Sequence, residues 1–384
     1  MLSISPSHRP PPPPPPPPST HWTTHLTLDL ILRVLHKTFL HPFIAWLLPL
    51  CLRAQATPYS HPAFILTTSY ATLLTLLVGL ALLNKRIAYG APRDVDLEEE
   101  VVVVAGGASG VGLVLAQIYG MRGVSVAVLD VKARKAEGKD DDDDDNGLGE
   151  MSNVEYYQCD VGERAQVEEV ARRIEDDLGT PTILINCVAA PINGLPLLAL
   201  PENAIQKTIH ANLNSYFHTL QIFLPGMLAS PTGGTVVTVS SVLGHLTAAG
   251  LSDYTATKAA ISAVHKTLEA ELRLSGASEK VKCLLVETGQ IATRLFERVE
   301  TPNNFFAPVL EPVQIAREIM SVIDSGNGGL IRMPAFASLA SWYTVLPASI
   351  QKLARYLSGI DQAIQKAGYS AEVEVDGSKN SKAD

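Results

Sequence analysis

The chain has 384 residues, enough for one large α/β domain with additional segments. Its formal net charge of −9 argues against a nucleic-acid-binding surface, which needs clustered cations. The cysteines and histidines show no metal-ligand spacing, so we expect no metal site; buried free thiols are expected at Cys159 and Cys283, and Cys51 and Cys187 complete the set.

The N-terminal 38 residues are predicted to be a disordered tail with a basic flank. Residues 10–18 are an uninterrupted proline run, which predicts a polyproline II helix. This run either stays solvated or docks a proline-reading domain. The basic flank contains Arg33 and Lys37.

Residues 39–84 are predicted to be a membrane anchor. Residues 63–83 carry no charge over 21 positions, and as a helix they would reach about 31 Å, enough to cross a bilayer core. Residues 39–52 are shorter and contain Pro42 and Pro49, which favours a re-entrant or interfacial segment.

The charges that flank the anchor predict its orientation. Cations lie on both sides of it, and by the positive-inside rule both flanks are then cytosolic, which gives a hairpin or monotopic anchor. The alternative is a single span with the N-terminus in the lumen. The flanking cations are Arg33, Lys37, Lys85, Arg86 and Arg93.

A glycine-rich turn follows the first strand of the next segment. The apolar run 101–105 leads into this turn, a helical pattern follows, and a second strand covers 124–129. In such a βαβ unit the helix N-terminus and the amides of the turn can hold a pyrophosphate, although a tight turn without a ligand is the alternative. The predicted cofactor contacts of this turn are Gly106, Ser109, Gly110, Val111 and Gly112.

Asp130 ends the second strand, where an acidic side chain can bind a ribose 2′-hydroxyl and repel a 2′-phosphate. NAD is therefore favoured over NADP, and Lys132 and Arg134 reduce that preference. A solvated loop acid is the alternative for Asp130. The six aspartates at 140–145 predict a disordered insertion after this strand.

Further apolar runs alternate with amphipathic helical patterns and specify a doubly wound parallel sheet of the Rossmann type within an α/β fold. This predicts a catalytic domain over residues 99–335, an amphipathic extension over 336–368 and a polar tail over 369–384. The remaining strands are predicted at 154–158, 182–186, 235–240, 281–286 and 329–333.

Three residues form a candidate proton-transfer group. Tyr254 and Lys258 lie one helical turn apart, so the ammonium is expected to lower the phenol pKa from about 10 toward working pH. Ser241, at the end of a strand, would hold the substrate oxygen beside the phenol. A Tyr-x-x-x-Lys pair by itself is frequent by chance. Here it indicates a catalytic role because the glycine-rich turn and Asp130, which predict a nucleotide site, precede it in the chain.

Two apolar segments follow the sixth strand. Residues 295–310 are rich in apolar side chains and prolines and would close over a substrate as a lid. Residues 336–357 contain Trp342, Tyr343, Leu346 and Pro347, which favours either core packing or a lipid-facing flap.

Together these residues resemble the short-chain dehydrogenase/reductase family over about residues 99–335. Ala105 replaces the family's threonine before the glycine turn, Cys187 and Ala189 depart from its Asn-Asn-Ala-Gly string, and Thr288 replaces a proline. We expect these departures to weaken cofactor affinity rather than abolish activity. The resemblance implies a catalytic tetrad of Asn212, Ser241, Tyr254 and Lys258, and further cofactor contacts at Asp160, Val161, Asn186, Tyr254, Lys258 and Thr293.

Several short strings are similar to the membrane-bound retinol/17β-hydroxysteroid dehydrogenase group, among them residues 193–198, 250–254 and 305–312. The resemblance implies a membrane-anchored oxidoreductase for an apolar alcohol or carbonyl, on endoplasmic reticulum or lipid droplets. Asp130 favours NAD as its cofactor, and the flanking cations favour a cytosolic catalytic domain. A homodimer is one of the assemblies that the sequence allows. The alternatives are an NADPH-dependent keto-lipid reductase and a membrane scaffold that keeps the fold without turnover.

Overall fold

The computed structural model describes residues 26–133, 148, 151–297, 299, 301 and 303–367. A seven-stranded parallel sheet with the order β3-β2-β1-β4-β5-β6-β7 confirms the predicted Rossmann-type fold. The strands are β1 Val101–Ala105, β2 Ser125–Asp130, β3 Val154–Gln158, β4 Ile183–Asn186, β5 Gly234–Ser241, β6 Val281–Thr288 and β7 Gly329–Met333.

Helices cover both faces of the sheet, which explains why β1, β5 and β6 are buried along their whole length. One face packs against α4 and α10, and the other against α5, α7 and α9. These helices and the neighbouring α6 and α8 are α4 Gly110–Met121, α5 Arg164–Asp177, α6 Glu202–Ile209, α7 Ser215–Ala229, α8 Leu243–Leu246, α9 Ser252–Leu274 and α10 Pro312–Asp324.

Because the strands are parallel, their carboxyl ends all lie at one edge of the sheet. The glycine turn follows β1 there, Asp130 ends β2, and Ser241 and Thr288 end β5 and β6. The strand order reverses direction between β1 and β4, which is where doubly wound sheets bind ligands. β5 extends one residue beyond its predicted end, so that Ser241 belongs to the strand itself.

Three helices precede the sheet: α1 Leu28–Lys37, α2 Pro42–Ala54 and α3 Pro62–Tyr89. The basic flank thus folds as α1, with Thr27 accepting a bond from the Leu30 amide at its start. α3 is long and apolar enough to cross a membrane, with a mean hydropathy of 1.9, and 11% of its most apolar window is buried. α1 and α2 meet those criteria only as a pair bent by 48°.

The helix pair α2–α3 is held by side-chain bonds as well as by apolar contact. The Trp46 indole donates to Thr75 over 3.0 Å, and the Tyr70 hydroxyl donates to the Phe39 carbonyl over 2.5 Å. At the end of α3, Lys282 Nζ donates to the Tyr89 carbonyl over 3.2 Å. α3 therefore ends beside the amino-terminal end of β6.

The chain continues after β7 into α11 Ala337–Tyr343, α12 Ala348–Ser358 and α13 Ile360–Lys366. Cys159 and Cys283 are buried free thiols, as predicted. The proline run, the six aspartates and the polar tail lie outside the described residues, as does Arg134.

Candidate active site

A cavity of about 1980 Å³ lies at the carboxyl edge of the sheet. This exceeds the usual 300–1,000 Å³ of a single small-molecule site, so a dinucleotide and a second ligand fit side by side. The glycine turn and Asp130 line one part of the cavity. Ser241, Tyr254 and Lys258 line the other, together with residues of the segment 295–310 that was predicted to be a lid.

Ser241 is buried at the last position of β5. Its hydroxyl donates to the Thr288 carbonyl over 3.4 Å and accepts from the Leu243 amide over 3.2 Å. These bonds join it to β6 and to the start of α8. The hydroxyl is thereby fixed at the cavity wall.

Tyr254 lies near the start of α9 and is also buried. Burial raises the pKa of its phenol, and the hydrogen bond with Ser241 opposes that rise. The expectation that Lys258 lowers this pKa is not met here. The Lys258 ammonium lies 5.7 Å from the centre of the tyrosine ring, so desolvation of the phenolate dominates.

The Lys258 ammonium binds backbone carbonyls instead. It donates to the Val239 carbonyl over 3.1 Å and to the Val188 carbonyl over 3.5 Å. Burial lowers the pKa of Lys258 to about 8, and the nearby Cys187 thiol opposes this shift. Backbone acceptors leave no signal in a sequence, so this part of the site could not have been predicted.

Phe296 packs against Tyr254. Its ring meets Tyr254 edge to face, with centroids 5.6 Å apart and planes at 84°. The lid prediction covered this segment but did not single out the phenylalanine. The contact places an apolar wall directly beside the proton-transfer group.

Asn212 ends up behind the cavity wall, in the π-helical turn His210–Asn214 that joins α6 to α7. Its side-chain oxygen accepts from the Ala190 amide over 2.7 Å, and its nitrogen donates to Thr257 over 2.9 Å. The amide thus ties the wall to α9 one position before Lys258. Its place in the catalytic tetrad stays a prediction.

The glycine turn has the close backbone approach that a pyrophosphate site needs. Gly106 has a φ of 77°, and a Cβ on Gly112 would stand 2.4 Å from the Gly106 carbonyl oxygen. The start of α4, with Ser109, Gly110 and Val111, lines the cavity. A dinucleotide fits this turn, because the helix N-terminus and its unpaired amides face the cavity.

Asp130 lies at the rim of the same turn. Its carboxylate accepts from the Ala108 amide over 3.0 Å and from the Lys132 amide over 3.2 Å. Asp160 and Val161 line the next part of the cavity wall, and Asp160 also accepts from the Gly162 amide over 2.9 Å. Backbone amides thereby fix both carboxylates at the cavity wall.

The two remaining predicted cofactor contacts behave differently. Thr293 lines the cavity, and its methyl group would stand 3.2 Å from a Cβ on Gly110, so it closes over the glycine turn. Asn186 does not reach the cavity. Its oxygen accepts from Thr219 over 2.9 Å inside the protein, and its nitrogen is buried without a partner.

A doubly wound sheet with a glycine turn facing a buried Ser–Tyr–Lys group defines a nucleotide-dependent oxidoreductase. The family model for short chain dehydrogenase matches residues 100–304. The chain belongs to the short-chain dehydrogenase/reductase family, whose members act on CH–OH groups.

Three relatives illustrate the similarity. An uncharacterized oxidoreductase of Saccharomyces cerevisiae is 30% identical over 263 residues, which are 67% of this chain and 82% of the yeast protein. Retinol dehydrogenase 10 of Homo sapiens is 29% identical over 60% of this chain and 74% of its own length. Short-chain dehydrogenase/reductase family 16C member 6 of Bos taurus is 31% identical over 64% of this chain and 75% of its own length.

Proposed function

We propose that this protein is a membrane-anchored, NAD-dependent oxidoreductase that interconverts an apolar alcohol and its ketone or aldehyde, with a retinoid, steroid or lipid alcohol as substrate. The burial of Ser241, Tyr254 and Lys258 together at one end of a large cavity carries this proposal. The name of the human relative supports the retinoid as the first substrate to test.

The chemistry follows from the positions of the three side chains. In reduction the neutral Tyr254 phenol donates its proton to the substrate oxygen, which Ser241 holds. In oxidation the Tyr254 phenolate takes the proton of the substrate hydroxyl. Lys258, held by two carbonyls, keeps positive charge near the phenolate. When bound, the nicotinamide supplies the hydride acceptor for the substrate carbon.

The wall around Tyr254 supports an apolar substrate. Ile192, Leu251, Val299 and Ile364 form a buried cluster with Tyr254, and Phe296 packs against this cluster. Such a wall stabilises hydrocarbon rather than a charged group. Asp130 at the ribose end favours NAD over NADP, because its carboxylate repels a 2′-phosphate.

Hydrogen bonds between the N-terminal helices and the catalytic domain support a hairpin or monotopic anchor with both flanks in the cytosol. Asp29, in α1, accepts from the Ala335 amide over 2.8 Å, while Tyr89, at the end of α3, binds Lys282. Both ends of the helical unit thus bind the same catalytic domain, which a single crossing would separate. Endoplasmic reticulum and lipid droplets are the membranes that we propose.

The full-length protein in phospholipid vesicles tests this function. We expect reduction of NAD with retinol, a hydroxysteroid or a long-chain alcohol, and loss of that signal in the Tyr254→Phe variant. Turnover with NADP alone would favour a keto-lipid reductase. Absence of cofactor binding in a fluorescence titration would favour a scaffold without turnover.

A further inference from the structure

We propose that the outer face of α11 and α12 is a second lipid-binding surface, which holds the open side of the substrate cleft against the bilayer so that substrate enters from the membrane. This inference rests on the membrane anchoring proposed above and adds the route of the substrate.

The outer face of these two helices is a stripe of large apolar side chains. They recur every three residues in α12, and two of them lie three residues apart in α11, the spacing of one helix face; Val345 follows α11 in the loop between the two helices. Their exposed fractions lie between 47% and 81%, and none of them lines the cavity. Such a contiguous exposed apolar face marks a binding surface. The members of this outer face are Leu339, Trp342, Val345, Ile350, Leu353 and Tyr356.

The inner side of the same helices forms a wall of the cavity. Tyr343 and Ala354 line it, as does Leu357, which is also 73% exposed. Phe306, from the lid segment, likewise lines the cavity and is 53% exposed. Leu357 and Phe306 therefore mark an apolar rim where the cavity meets the outside.

The charge and the side-chain types of α11 and α12 favour lipid as the binding partner of the outer face. Residues 337–358 contain no carboxylate, although the whole chain carries a net charge of −9. Lys352 is exposed and suits a lipid phosphate. Trp342 and Tyr356 are the residue types that concentrate at membrane–water interfaces.

Two hydrogen bonds join the helix that precedes the anchor to the lid segment and to the residues before α11. The Leu28 amide of α1 donates to the Phe305 carbonyl of the lid over 2.9 Å. The Asp29 carboxylate accepts from the Ala335 amide, two residues before α11. α1 therefore ties the start of the anchor, which follows it in the chain, to the lid segment and to the residues that lead into α11.

Tryptophan quenching by brominated lipid tests the contact directly. In the full-length Trp22→Phe/Trp46→Phe variant, Trp342 is the remaining tryptophan. We expect vesicles of brominated phosphatidylcholine to quench it at least about twofold relative to ordinary vesicles, since the indole would lie at the acyl boundary. The matched control adds Leu274→Trp and Trp342→Phe, because Leu274 is 89% exposed at the end of α9. We expect no quenching there.

Kinetics test the substrate route. For Leu339→Ser/Leu353→Ser we expect kcat/KM for a vesicle-dissolved alcohol to fall by about tenfold or more, through KM, because apolar side chains that seat the cleft on lipid are lost. Turnover of a short water-soluble alcohol should stay unchanged. An equal loss on both substrates would contradict the proposed route.

Flotation separates the two proposals. A chain that floats with vesicles while Trp342 escapes quenching keeps its anchor and overturns this inference alone. A chain that does not float overturns the anchoring as well. A dimer that dissociates in the Leu339→Ser/Leu353→Ser variant would identify the outer face as a subunit interface and would overturn the lipid assignment.

Discussion

The hydroxyl of Ser241 donates to the carbonyl of Thr288, the residue that pairs with it in register at the ends of β5 and β6. Thr288 leads directly into the loop that carries Thr293 over the glycine turn. The hydroxyl that we propose holds the substrate oxygen is therefore bonded to the strand that leads into the loop with Thr293. A shift of one strand end would disturb both partners of the reaction.

Tyr254→Phe should abolish proton transfer and leave the ring packing against Phe296. We expect kcat to fall by at least about a hundredfold, the usual contribution of a general acid–base group. NAD binding, followed by nicotinamide fluorescence, should change little. Wild-type turnover in this variant would remove Tyr254 from the mechanism.

Asp130→Ala should narrow the preference between the two cofactors. It removes charge-assisted bonds to the ribose and the repulsion of a 2′-phosphate, so the ratio of kcat/KM for NAD to that for NADP should fall by about ten- to a hundredfold. Asp130→Asn, which keeps an acceptor without the charge, should lie between the two. An unchanged ratio would mean that Asp130 does not face the ribose.

Gly112→Ala should impair cofactor binding, because the new methyl group would stand 2.4 Å from the Gly106 carbonyl oxygen. The turn must shift, at a cost of about 1–3 kcal/mol, so the Kd for NAD should rise by about tenfold. Gly226→Ala in α7 is the matched control, since its methyl group would make an ordinary 3.4 Å contact with Thr180. Calorimetric titration of both variants measures the difference.

His265 should make the fold sensitive to acid. It is buried, and Nδ1 lies 2.7 Å from the Thr238 hydroxyl. Burial lowers its pKa to about 4 from an ordinary 6.5, with Lys266 adding to the shift. Between these values the unfolded chain binds more protons, so the free energy of unfolding falls as the pH falls, by up to about 3 kcal/mol.

The acid sensitivity can be assigned to this side chain with His265→Gln, which does not titrate. The decrease in Tm from pH 7 to pH 5 should be smaller in the variant than in the wild type. Equal decreases would show that other groups cause the acid sensitivity.

The orientation of the anchor should be visible in sealed microsomes. If both flanks are cytosolic, as the ties of Asp29 and Tyr89 favour, protease added outside should digest the catalytic domain. A reporter that is fused to the N-terminus should be digested as well. Protection of either one until detergent is added would contradict the hairpin.

The sequence alone predicted the parallel sheet, the glycine turn, the apolar anchor helix and the Ser–Tyr–Lys group. These features depend on short-range patterns: strand runs, helical spacing and motif order. The predictions that were wrong, and the contacts that were not predicted, concern side chains that interact with residues distant in the chain. The phenol pKa of Tyr254 depends on its burial, and Lys258 is held by carbonyls from two other segments.

The same reason explains the helix α1 and the position of Asn186. A basic flank gives no sign that it will bind the lid at Phe305 and the amide of Ala335, more than 270 residues later in the chain. Asn186 matches a family motif and was therefore predicted to contact the cofactor. Its side chain instead accepts a hydrogen bond from Thr219 inside the protein. Local patterns determined which elements form and which chemistry they carry. Only the tertiary structure decided what each side chain touches, because burial and long-range contacts arise after the elements have packed.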